Sequence, residues 1–73
     1  MKITIERPQD VNDELAAYLK YVESTAADLK HARIMFYARF GGRQRHYRLE
    51  EQASRHSIYV GTHKHRIATI EEK

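Results

Sequence analysis

The sequence has no cysteine, which excludes disulfides and thiolate metal sites and suits an intracellular chain. It has no apolar run of membrane-spanning length, and its opening stretch, "MKITIERPQD", lacks the apolar segment of a signal peptide. The expectation is a soluble, cytoplasmic protein. Also missing are a phosphate-binding loop, an activated serine or cysteine arrangement, a close carboxylate pair on a common apolar-walled site, any repeat and any low-complexity tract. With 73 residues there is room for a single domain, residues 1–73. A chain of that size buries only roughly 60% of the surface its unfolded form exposes, which disfavours a deep catalytic cleft.

What the sequence does have is a division of charge. Residues 1–30 carry four Lys or Arg against six Asp or Glu, whereas residues 31–73 carry nine against four, together with all five histidines. The halves therefore differ in sign, net −2 and net +5. Such asymmetry points to an anionic partner, either nucleic acid or an acidic protein surface.

Periodicity gives the expected elements. "KITIE" alternates, with Ile3 and Ile5 on one side, as a half-buried strand that Pro8 ends. From Asp10, a plausible N-cap, Val11, Leu15, Leu19, Val22, Ala26 and Leu29 follow at steps of three and four, which predicts one long helix. Asp13 and Glu14 suit its positive end and Lys30 and His31 its negative end, while Ser24-Thr25 is its weak point.

Beyond His31 the pattern reads as strands: "RIMFYARF", the pair Gly41-Gly42, then "RQRHYRLE". Two glycines between extended runs signal a hairpin. Its register sets Phe40 against Arg43, Ala38 against Arg45, Phe36 against Tyr47 and Ile34 against Leu49 on the core face. Arg33 with Glu50, Met35 with Arg48, Tyr37 with His46, and Arg39 with Gln44 then occupy the other face. "EEQASRH" reads as a connection, "SIYV" as a strand, "GTHKH" as a turn and "RIATI" as a last strand, with Val60 opposite Ile67 and Ile58 opposite Thr69. The expected class is α+β, in the order β-α-β-β-β-β, with one helix across one face of an antiparallel sheet and the other face open.

The candidate contact residues are the basic hairpin and the second turn: Tyr37, Arg39, Arg43, Arg45, His46, Arg48, Lys64 and Arg66. Arginines beside an aromatic ring on an open sheet can form charge-assisted bonds to carboxylates, or can stack and hold single-stranded nucleic acid. The aromatic-rich strands of RNA-recognition sheets are absent, and the reading provides no second helix. His63 and His65, two apart, could begin a metal site, but a structural zinc needs four ligands and the other histidines show no motif, so no metal or cofactor is expected. The same histidines with Arg45, Arg66, Lys64 and Tyr59 could be assembled into a metal-free ribonuclease, as in toxins of the RelE type, though no motif aligns with theirs.

In size and layout the whole chain, short, cysteine-free and divided in charge, resembles small phage-encoded proteins that inhibit host RNA polymerase. That resemblance rests on no motif and carries over no residue. It implies a non-enzymatic regulatory protein that occupies a surface of RNA polymerase or an associated factor. Single-stranded nucleic-acid binding is the alternative, and a ribonuclease toxin a more remote one.

Overall fold

The computed structural model describes residues 1–41 and 46–72. Strand β1 (Lys2–Ile5) leads through a single 3-10 turn (Pro8–Asp10) into helix α1 (Asp13–Thr25) and helix α2 (Leu29–Phe40). Three strands follow, β2 (Tyr47–Glu51), β3 (Arg55–Val60) and β4 (Arg66–Glu71). The four strands form one antiparallel sheet in the order β1-β4-β3-β2, and both helices pack on the same face. Among the described residues no helix is long and apolar enough to cross a membrane.

The class is therefore α+β as expected, but with two helices and the order β-α-α-β-β-β. The helix of the amino-terminal half stops at Thr25, beside the weak point at Ser24-Thr25, because Ala26 turns extended (φ −66°, ψ 132°). It is capped by Asn12, whose side chain accepts from the Leu15 amide at 2.8 Å, and not by Asp10. Asp10 lies in the preceding turn, where it pairs with Arg7 at 2.7 Å.

The segment "RIMFYARF" is helical, which overturns the expected strand and with it every cross-strand pair of the Gly-Gly hairpin. Asp28 starts α2 by accepting from the His31 amide at 2.8 Å, while His31 Nδ1 accepts from the Ala27 amide at 3.0 Å. These reciprocal bonds satisfy donors at a helix start in the manner of a capping box. Lys30 and His31 thus sit at a helix amino terminus, opposite to their expected place. Leu29, Ala32, Phe36 and Phe40 recur at helical steps and turn inward, whereas Ile34, expected in the core, is 53% exposed. Gly41 ends α2, its amide donating to the Tyr37 carbonyl at 2.9 Å. A Cβ there would collide with that carbonyl oxygen, so the glycine serves close approach and not a hairpin turn. Gly42, Arg43, Gln44 and Arg45 lie outside the described residues.

Tyr47 to Glu51 pair instead with the next strand, Tyr47 with Val60, Arg48 with Tyr59 and Leu49 with Ile58. Glu51, Arg55 and His56, assigned to a connection, are strand residues. Ile58 faces Ala68 and Ser57 faces Thr69, one step from the expected register, and an irregularity at Ile58/Tyr59 brings Tyr59 opposite Arg66.

The core joins Leu15, Leu19 and Val22 of α1 to Ala32, Met35 and Phe36 of α2 and to Tyr47, Leu49, Ile58, Ala68 and Ile70 of the sheet. Aromatic edges hold the layers together, with Phe40 set against Tyr18 at 5.6 Å and against Tyr47 at 5.7 Å between centroids. Phe36 and Tyr47 do share the core, as the sequence suggested, but as helix and strand. Buried His56 ties β3 to α2, its Nε2 lying 2.7 Å from the Leu29 carbonyl.

Candidate binding face

Alternation along β2 decides what lies away from the helices. Tyr47 and Leu49 point into the core, so Arg48 between them points to the open face. The pairing then lays Arg48, Tyr59 and Arg66 side by side across β2, β3 and β4. The Arg48 guanidinium carbon stands 4.4 Å from the Tyr59 ring centroid, within cation–π range. Its Nη2 lies 3.1 Å from Glu50 Oε2 and donates to the His63 carbonyl at 3.2 Å, while Nη1 donates to the Gly61 carbonyl at 3.4 Å. One arginine therefore grips both the ring and the turn between β3 and β4.

That turn is made possible by Gly61, the one described residue with positive φ, +51°. At the far end of the row, Arg66 binds Glu6 through two parallel bonds, Nε to Oε1 at 2.5 Å and Nη2 to Oε2 at 2.8 Å. The hydrogen bonds from Arg66 hold the Glu6 carboxyl below its ordinary pKa, and Glu6 in turn raises that of Arg66.

The six described residues among the eight expected contacts do not form one surface. Arg48 and Arg66 share the open face. His46 and Lys64 are exposed at the adjoining end of the sheet, where the Gly61 amide donates to the His46 carbonyl at 2.7 Å. The two basic segments are thus neighbours. Tyr37 and Arg39 belong to α2 on the other side of the sheet, which corrects their placement on the open face beside His46 and Arg48. The Tyr37 hydroxyl donates to the Leu49 carbonyl at 3.1 Å, and Arg39 pairs with Glu14 of α1 at 3.2 Å. Both side chains are engaged in holding the helices. Arg43 and Arg45 lie outside the described residues.

Tyr59, the centre of the row, was absent from the expected contacts. Its signal lies in the alternation of "HSIYV", which puts Tyr59 on the side opposite Ile58, but its cationic neighbours follow only from the β2–β3 and β3–β4 registers. His63 and His65 occupy the turn before β4 and not a strand, so the alternation that would align their rings does not apply. Among the described residues no three His, Asp or Glu side chains come together as a metal site.

No family model, no curated protein and no solved structure matches the chain.

Proposed function

We propose that the protein is a small, non-catalytic regulatory binding protein of the bacterial cytoplasm. It docks the open sheet face and the adjoining basic end onto an acidic protein surface of the transcription machinery, with RNA polymerase or an associated factor as target. The observation that carries this reading is the Arg48–Tyr59–Arg66 row, in which Arg48 stacks on the Tyr59 ring and Arg66 stands on the next strand, on a face that no helix covers among the described residues. Both arginines already hold a carboxylate, Glu50 and Glu6. A partner's carboxylates present the same chemistry to the same donors, and Tyr59 supplies a rigid apolar anchor between them. The choice of transcription as the setting rests on the resemblance in size and layout alone.

Single-stranded RNA or DNA is the second reading, favoured by an aromatic ring in a row with two arginines, on which a base would stack. Glu6 and Glu50 interrupt the continuous positive track that a phosphate backbone follows, whereas a protein partner needs only isolated donors. Direct binding to purified bacterial RNA polymerase, beside binding to an unstructured oligonucleotide, separates the two. The proposal expects the polymerase to bind and the oligonucleotide to bind weakly. Oligonucleotide binding that falls steeply with added salt, without polymerase binding, supports the second reading and overturns the first.

A further inference from the structure

The two edges of the sheet are finished differently. At β2 the outward carbonyl of Leu49 is occupied by the Tyr37 hydroxyl, and Arg33 of α2 reaches Glu51 at 3.1 Å. At β1 the cover is slight. The Glu6 amide donates to Ile67, and in an antiparallel ladder this parity turns the backbone groups of Lys2 and Thr4 toward β4 and those of Ile3 and Ile5 outward. The Ile3 amide reaches Glu23 Oε2 at 3.3 Å, consistent with that direction, and it is the only side-chain bond to this outward edge among the described residues. Beside the edge runs a groove of about 280 Å3 lined by Ile3, Ile5, Ala16, Leu19, Lys20 and Glu23. Ile5 is 39% exposed there. The strand has none of the charges pointing toward the helices, bulges or prolines that usually block an edge.

We propose that β1 of a second copy of this chain occupies this edge, joining two sheets into one of eight antiparallel strands about a twofold axis. The charge pattern selects the second copy and the register. Placing Thr4 on the axis sets Ile3 opposite Ile5 of the second copy, so the two outward-facing residues exchange backbone bonds. The same register sets Lys2 opposite Glu6 of the second copy, at both ends of the seam. Shifting by two residues keeps the backbone bonds but loses both ion pairs. Ile5 of one copy then lies beside Ile3 of the other over the groove, whose rim charges, Lys20 and Glu23, are opposite in sign and so self-complementary under a twofold. The axis is perpendicular to the sheet, so both Arg48–Tyr59–Arg66 rows lie on one continuous face. The pairing itself stands whether or not that face binds a partner.

A cysteine-free chain makes the register directly testable. Thr4 and its copy form a non-hydrogen-bonded pair with Cα atoms roughly 4.5 Å apart, within disulfide range. Thr4→Cys should therefore give a linked dimer on mild oxidation, much faster than Ser24→Cys on the exposed end of α1. In sedimentation the wild type should rise with concentration from 8.6 kDa to twice that mass. Lys2→Glu and Ile5→Lys should remain at the monomer mass, with circular dichroism confirming that each is folded. A wild type that stays monomeric throughout overturns the proposal, including one that takes an unrelated extended peptide at β1. So does linkage of Thr4→Cys no faster than of Ser24→Cys.

Discussion

The hydroxyl of Tyr37, on α2, donates to the carbonyl of Leu49, on β2, across 3.1 Å. One side chain thereby fixes the second helix to the sheet and closes a backbone acceptor at the sheet's edge. Tyr37→Phe keeps the ring and removes the donor. The expected loss is about 1 kcal/mol, the net worth of a typical hydrogen bond, read as a lower denaturation midpoint with an unchanged slope.

Two truncations distinguish the helical segment from the strand that its composition suggests. Ile34→Ala should change stability by less than about 0.5 kcal/mol, because Ile34 lies on the outer side of α2. Leu19→Ala should cost about 2–5 kcal/mol, because Leu19 is fully enclosed between α1 and the sheet. Equal losses at the two positions in urea denaturation would contradict the placement of α2.

Where alternation or helical spacing was clean, the sequence was legible. "KITIE" has one apolar side and is β1, and the Leu15, Leu19, Val22 stripe is α1. The second helix was hidden by its composition, since Ile34, Phe36, Tyr37 and Phe40 all favour strands and Ile34 puts an apolar side chain outside the inward stripe. Tertiary packing overrode that preference, and Asp28 and Gly41 mark the helix's two ends. Reading Gly41-Gly42 as a turn then paired Tyr47 with the wrong neighbour. Arg48 and Arg66 could be named as candidate contacts without the correct registers, but their alignment in one row with Tyr59 could not.

The Glu6–Arg66 pair predicts a pH dependence. Its carboxyl titrates below the ordinary value because Arg66 donates to the ionised form. The pair's contribution to stability is therefore present above the unfolded-state pKa and is lost as pH falls through the lowered folded value. In an NMR titration Glu6 should protonate below the ordinary range of a glutamate carboxyl. Arg66→Gln should raise the Glu6 midpoint and flatten the acid limb of the stability profile.

The proposed binding by the open face requires that changing Arg48 and Tyr59 together abolish it. The decisive measurement is capture from nuclease-treated bacterial lysate by the wild type and by an Arg48→Gln, Tyr59→Ser double variant whose fold has been verified. The prediction is that RNA polymerase or an associated factor persists on the wild type after nuclease treatment and is lost from the variant. A catch that disappears with nuclease, or that the folded variant retains in full, would contradict it.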